Sequence, residues 1–261
     1  MANSINRHSE RIVKFLLENE TATIEELLAI TGFSTLSVRR DLARLEGRGL
    51  IRRTHDGATL VGPLLYEPFR YDRSFLAREQ RNATAKRRIG LAAAELVKAG
   101  ETVGLTAGAV TTHIGRSLRH HDKIQVITNA VNICMELYNQ PGIRISLTGG
   151  VVPWAWSFSL TGNAALTFLD NVYMDKVFLS VTGLDAERGA TTLETDEALI
   201  YRKMLKKSKQ VIVAAESGKL GKVDPAFICP SNEIHILITD AGASAEAIVP
   251  FEHQNICVIR A

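Results

Sequence analysis

The 261-residue sequence predicts a two-part α/β chain: an N-terminal winged helix-turn-helix joined to a larger α/β domain with a mainly parallel sheet. Three observations predict it. Two helical patterns meet at Thr31-Gly32-Phe33, a basic hairpin pattern follows around Asp56-Gly57, and beyond residue 85 continuous Val/Ile/Leu runs alternate with helical periods. The implied boundaries are 6–61 for the winged helix, 62–80 for a linker and 81–261 for the larger domain.

A first helix is expected from about Ser9 to Glu18, burying Ile12, Phe15 and Leu16. Thr23-Ile24-Glu25-Glu26 has the form of a capping box, in which the Thr23 oxygen accepts from the Glu26 N–H while Glu26 reaches back. That second helix runs to about Ile30, with Gly32 suited to a left-handed C-cap. Ser34 is placed to cap the third. At about 100° per residue, Val38, Leu42 and Leu45 share one face of the third helix. Leu36, Ser37, Arg40, Ala43 and Arg44 occupy the other. A buried seam behind a small and basic front suits the major groove of DNA, where arginine donates twice to guanine and hydroxyls reach phosphates or base edges. Leu50–Thr54 and Ala58–Val61 are expected as two strands across a type I′ turn at Asp56-Gly57, forming a wing that offers Arg52 and Arg53 to phosphates. From Arg39 to Arg53 six arginines face two acids, net +4.

Gly62-Pro63 breaks the pattern after the wing. From Arg70 to Arg88 seven basic residues (Arg70, Arg73, Arg78, Arg81, Lys86, Arg87, Arg88) face Asp72 and Glu79, net +5; this stretch is read either as touching flanking phosphates or as a solvated linker. Strands are then expected at Thr102–Leu105, Ile124–Thr128, Ile143–Leu147, Lys176–Val181, Gln210–Ala215, Ile234–Thr239 and Ile256–Ile259, with helices at Asn132–Asn139 and Thr195–Ser208 among those between. Such alternation indicates a parallel sheet covered on both faces.

Several strands end in small, polar or glycine-rich turns, and open α/β sheets bind ligands at those ends. The candidate small-molecule site is Thr106, Gly108, Ala109, Thr111, Thr112, Thr128, Asn129, Gly149, Gly150, Gly183 and Lys219. The turn at Gly108 opens a helix whose N-terminal amides suit an anion, and Lys219 adds positive charge. The expected ligand is a phosphorylated small molecule. Trp154 and Trp156, two residues apart after the double glycine, stack on a sugar ring in one reading and pack into an interface or the core in the other.

A hydrophobic fraction of 46% supplies a sizeable core plus a small satellite domain. No apolar run has the length of a membrane span and Met1–Arg11 is polar, so no membrane partner is expected. Cys134, Cys229 and Cys257 lack metal or redox spacing and are expected as reduced core residues of a cytoplasmic protein. No metal, cofactor or catalytic residue is predicted.

Val38-Arg39-Arg40-Asp41-Leu42, with Leu45-Glu46, Gly49-Leu50-Ile51, Arg53, His55 and Gly57-Ala58, resembles the signature of the DeoR family of bacterial transcriptional regulators. The resemblance extends through Gly108, Thr128-Asn129, Leu147-Thr148-Gly149-Gly150, Asp175–Gly183, Ser217-Gly218-Lys219 and Ile238-Thr239-Asp240. It implies a C-terminal domain similar in fold to ribose-5-phosphate isomerase and CoA transferases that senses a sugar phosphate or related metabolite. The chain departs from the family's pattern at Ser37 (usually Thr), Asp56 (usually Gly), Thr106 (often Asp), Ala109 (often Ser or Thr) and Glu216-Ser217-Gly218-Lys219 (often Asp-Ser-Ser-Lys).

The reading that follows is a repressor of carbohydrate catabolism genes. It binds double-stranded operator DNA through Ser34, Thr35, Leu36, Ser37, Arg39, Arg40, Arg44, Arg52, Arg53 and His55, as a homo-oligomer (dimer or tetramer), and responds to a sugar-phosphate effector. Two alternatives stay open. One is a sugar-phosphate isomerase-like enzyme fused to a DNA-binding module, with Glu216 or Asp240 as general base. The other is a DNA-binding scaffold whose second domain only oligomerises.

Overall fold

The computed structural model describes residues 7–47, 50–60, 73–153 and 158–261. Helices α1 (Arg7–Asn19), α2 (Ile24–Thr31) and α3 (Thr35–Gly47) pack with strands β1 (Thr21–Thr23), β2 (Ile51–Arg53) and β3 (Gly57–Leu60). The capping box at Thr23 and Glu26 is formed and Gly32 closes α2 with a φ of 71°. Both follow from the backbone groups left over at helix ends. Ile12, Leu16, Leu27, Val38, Leu42 and Leu45 meet in one core with Leu50, Ile51 and Ala58 of the wing.

Two details of the wing differ from expectation. Its sheet has a third strand, β1, and the order is β1-β3-β2; three residues between two helices are too few to show a strand period. The turn at Asp56-Gly57 is not type I′, since neither residue takes a positive φ. Gly57 serves close approach instead: a Cβ there would lie 1.9 Å from the Ala22 carbonyl oxygen on β1.

The segment 62–80, expected as a linker, ends in a helix, α4 (Arg73–Gln80), which is followed by α5 (Ala83–Glu95). The larger domain is built on strands β4 (Thr102–Leu105), β5 (Ile124–Thr128), β6 (Ile143–Leu147), β7 (Met174–Ser180), β10 (Ser208–Ala214), β12 (Ile236–Thr239) and β13 (Cys257–Arg260). These form one seven-stranded sheet in the order β13-β12-β10-β7-β4-β5-β6, and every pairing in it is parallel. Helices α6 (Ala109–Leu118), α7 (Val131–Leu137), α8 (Asn163–Asp170), α9 (Thr195–Lys206) and α10 (Ala245–Glu252) complete it. Two buried clusters, one around Val177, Leu179, Tyr201 and Val213 and one around Ile89, Leu105, Ile114 and Phe178, flank the sheet, as expected for strands buried on both faces.

A second, antiparallel sheet of β8 (Gly183–Asp185), β9 (Gly189–Thr192) and β11 (Ala226–Cys229) was not anticipated. Its strands are short and rich in glycine, alanine and threonine, which leaves no periodic signal. Of the cysteines, Cys229 is buried and Cys134 half-buried, but Cys257 is exposed because β13 is an edge strand. Among the described residues no helix is long and apolar enough to cross a membrane.

The topology places the cavity described below. From β4 the chain moves outward through β5 to β6, then returns to β7 on the other side of β4 and continues to β13. The connections leaving the carboxyl ends of β4 and β7 therefore run to opposite sides at a topological switch point, where a crevice is left in an open parallel sheet.

Candidate functional site

The third helix presents one sealed and one open face. Val38, Leu42 and Leu45 are buried, while Leu36 is 69% exposed and Arg39 and Arg40 are exposed. Ser34 caps the helix: its Oγ accepts from the Ser37 N–H at 3.3 Å and donates to the Ser37 Oγ at 3.1 Å. Asp41, on the edge of the buried face, accepts from the Ser9 hydroxyl at 3.2 Å and pairs with Arg44 at 3.4 Å. On the wing, Arg53 is drawn back onto Glu46 at 2.5 Å, and these bonds to the Arg53 backbone and side chain hold the Glu46 carboxyl below its usual range. His55 lies 2.6 Å from Asp56. Arg39, Arg40 and Arg52 have no acidic partner among the described residues. The ten candidate residues thus divide: Thr35, Leu36, Arg39, Arg40 and Arg52 are open to solvent, Ser34 and Ser37 are bonded to each other at the start of α3, and Arg44, Arg53 and His55 are each paired with a neighbouring carboxylate.

At the switch point lies a cavity of about 280 Å³. Its lining includes Gly108, Ala109 and Val110, where α6 begins, and Gly218 and Lys219 of the short 3-10 turn after β10. Gly108 has no alternative here, because a Cβ would stand 2.3 Å from the Ser180 Oγ at the end of β7. Ala109 and Val110 follow it directly in the first turn of α6, where backbone amides have no partner within the helix. Five cations line the cavity (Arg78, Arg81, Lys86, Lys219, Lys222) against three carboxylates (Glu194, Glu197, Glu216). The excess of positive charge, with hydroxyls from Ser180 and Thr182 beside it, suits an anion carrying polar substituents.

Of the eleven residues expected at the small-molecule site, Gly108, Ala109 and Lys219 line this cavity and the other eight do not. The threonines have work in the backbone. Thr106 is fully buried, and its Oγ accepts from the Ser180 N–H at 3.0 Å, tying the ends of β4 and β7 together. Thr111 and Thr112 turn their hydroxyls back to the Gly108 carbonyl at 3.1 and 2.7 Å, the local bond that such residues favour near helix starts. Thr128 donates to the Leu105 carbonyl at 2.8 Å. Asn129 accepts from the Ala107 N–H at 2.9 Å and donates to the Ser159 Oγ at 2.9 Å. Gly149 and Gly150 form an exposed turn with φ values of 72° and 117° at the far edge of the sheet. Gly183 lets β8 pass under the Lys222 carbonyl, which a Cβ would meet at 2.6 Å. Trp154 and Trp156 lie outside the described residues.

The larger surprise is the contribution of α4 and α5. Phe75 and Arg78 of α4, with Arg81, Asn82 and Lys86 at the α4–α5 junction, form a side of the cavity. Phe75 packs edge-on against Phe158, ring centres 4.7 Å apart. Behind them, Glu79 on α4 pairs with Arg116 on α6, which also meets Glu136 on α7 at 3.0 Å. Burial alone would lower the Arg116 pKa, but the two carboxylates outweigh it and hold the guanidinium charged. A guanidinium sealed between two acids fixes α4 onto the larger domain. The signal for this wall was the basic run 70–88. Its charge is visible in the sequence, but not that Lys86 turns inward to 2% exposure.

The two candidate acids sit differently. Glu216 lines the cavity and accepts from the Asn82 amide at 2.9 Å, with Lys86 Nζ 3.3 Å from its other oxygen. Asp240 stands behind the turn, outside the lining. Burial would raise its pKa, but bonds from the Ser217 N–H and hydroxyl at 2.6 and 2.9 Å hold it below the usual carboxylate range.

The chain is similar to known proteins over most of its length. The family described as DeoR-like helix-turn-helix domain matches residues 7–63, and that described as DeoR C terminal sensor domain matches residues 81–241. A putative aga operon transcriptional repressor of Escherichia coli O157:H7 is 31% identical over 96% of this chain and 91% of its own length. The HTH-type transcriptional repressor GlcR of Bacillus subtilis (strain 168) is 32% identical over 88% of this chain and 86% of its own. Among solved structures, ribose 5 phosphate isomerase A from Neisseria gonorrhoeae aligns with 57% of this chain and 55% of its own at 11% identity, with a TM-score of 0.39. With its helix-turn-helix and its sensor domain both matched, the chain belongs to the DeoR family of DNA-binding transcriptional regulators.

Proposed function

We propose that this regulator is a repressor of carbohydrate catabolism genes, released from or recruited to its operator by a phosphorylated sugar or related metabolite. The observation that carries the reading is the pairing of an open, cationic α3 face with a cation-lined cavity at the sheet's switch point. Leu36, Ser37, Arg39 and Arg40 read base edges, Leu36 by apolar contact with a thymine methyl, while Ser34, Thr35 and Arg52 meet phosphates. Two or more subunits present their α3 helices to half-sites about 34–36 Å apart or multiples of that. The metabolite's phosphate is held by the α6 N-terminus and Lys219, and its hydroxyls by Ser180, Thr182, Glu194 and Glu197. Catalysis is disfavoured, since a general base must be free to take a proton from substrate. Glu216 is engaged by Asn82 and Lys86, and Asp240 is engaged by Ser217.

The test is a gel-shift titration with DNA from upstream of the protein's own gene, repeated with a panel of sugar phosphates. A shift reversed or strengthened by one compound supports the reading, and Lys219→Ala should then bind DNA unchanged while needing more of that compound. A firm shift indifferent to the whole panel would move the effector outside sugar phosphates and favour an oligomerisation scaffold.

A further inference from the structure

Helix α5 touches both functional parts of the molecule on different faces. Its thirteen residues span about 20 Å at 1.5 Å per residue. At the cavity end stand Asn82, its N-cap in the left-handed region with a φ of 54°, and Lys86. Lys86 is the hub: its ammonium donates to the Arg78 carbonyl at 2.8 Å and to the Arg81 carbonyl, and faces Glu216 at 3.3 Å. Glu216 also accepts from Asn82, so one carboxylate holds both the α4–α5 junction and the first turn of α5.

On the other side, Arg87, Leu91 and Glu95 recur every four residues as a stripe that grips the winged helix. Arg87 pairs with Glu20 and reaches the Glu18 carbonyl at 3.4 Å. Leu91 is buried within the winged-helix core, and Glu95 pairs with Lys14 at 2.5 Å. In between, Gly90 brings the backbone of α5 against α6, where a Cβ would lie 2.8 Å from the His113 carbonyl oxygen. Lys86 and Leu91 are about 140° apart around the helix axis, so the cavity face and the winged-helix face belong to one rigid element.

We infer that Glu216 is an internal counter-ion that latches α5, and that an anionic ligand entering the cavity competes with it for Lys86 and Asn82, loosening α5 and with it the seat of the winged helix. This rests on the cavity being the effector site. An anion beside Lys86 and Lys219 meets the Glu216 carboxylate as a like charge, so the two arrangements of the junction differ in affinity for the ligand, which any switch requires. A chain of contacts alone would not establish coupling; the variants below measure it.

The experiment uses the full chain as wild type, Glu216→Gln and Arg87→Ala, with ribose 5-phosphate, glucose 6-phosphate, fructose 1-phosphate and fructose 1,6-bisphosphate as probes. Without any probe, Glu216→Gln should raise amide hydrogen exchange in residues 83–95 and 12–20 at least fivefold. It should also move operator affinity at least threefold, in the direction an active probe moves wild type. Arg87→Ala should keep the probe's thermal shift while losing at least two-thirds of its effect on operator affinity. Wild-type exchange in Glu216→Gln, or undiminished coupling in an Arg87→Ala protein that binds the probe, overturns the latch. If no probe shifts the melting of wild type, the sugar-phosphate reading of the cavity fails, and the exchange of Glu216→Gln alone decides the latch.

Discussion

The α3 face and the cavity both concentrate cations, but they do so in opposite ways. On α3 and β2, Arg39, Arg40 and Arg52 stand in solvent with no acidic partner among the described residues, ready for an anion as large as a duplex. In the cavity, Lys86 is sealed and shares Glu216, while Arg116 behind it is closed between Glu79 and Glu136. A surface that binds a polyanion needs charges left unpaired, since counterion release supplies much of the affinity. An enclosed site cannot leave them so, because an isolated buried charge is too costly; it carries its own counter-ions, which a ligand must replace. The same residue types are thus left open on α3 and β2 and, at Lys86 and Arg116, paired in the interior.

The contrast can be tested first through acid. The buried His113 on α6 has its pKa pushed down to about 3 by burial and by the nearby Arg116, Lys86 and Arg87, and His121 shifts the same way. The unfolded chain takes up a proton near pH 6.5 that the folded chain refuses until about pH 3. Stability contributed by a neutral His113 is thus present above pH 6.5 and lost as the pH falls, at about 1.4 kcal/mol per pH unit within the window. Urea unfolding at pH 7, 6 and 5 should show this slope, and His113→Gln should flatten it. An unchanged slope in the variant would mean that the α6 interior is wetter than its packing implies.

Next in size is Arg40→Ala, expected to lose about 1–3 kcal/mol of operator affinity for a bidentate base contact with no change in thermal stability. Equal losses on operator and random DNA would turn Arg40 into a phosphate contact and break the assignment of the groove face. The smallest effect separates the two wing arginines. Arg52→Ala should lower the slope of log affinity against log salt by about 1, as for one phosphate contact. Arg53→Ala should lower it less, because Glu46 already neutralises that guanidinium. Equal slopes would show that DNA strips Arg53 from Glu46.

The legibility of the two regions follows their construction. The third helix could be read because its pattern is local: Val38, Leu42 and Leu45 bury one face by helical period, Leu36, Arg39 and Arg40 stand on the open one, and Thr23, Glu26, Gly32 and Ser34 mark where the helices start and stop. The parallel sheet could be read because its strands are continuous apolar runs. The cavity was read only in part. Strand-end turns pointed to the end of the sheet where the cavity lies, but eight of the eleven residues chosen there do not line it. Small polar residues at strand ends serve backbone closure as readily as ligand binding, and Thr106, Thr128 and Asn129 show the former.

What the sequence by itself determined is the winged helix, the order of helices and strands, and the family, all of which rest on periods and caps within a few residues. Only the tertiary structure decided where the basic run of 70–88 goes. Of its described members, Arg78, Arg81 and Lys86 line the cavity and Arg87 grips the winged helix. Glu216 lies 130 positions beyond Lys86 in the chain and meets it only because β10 ends beside β7 at the switch point. No local pattern encodes such a meeting, since the partner of a buried charge is set by which strands the sheet brings side by side.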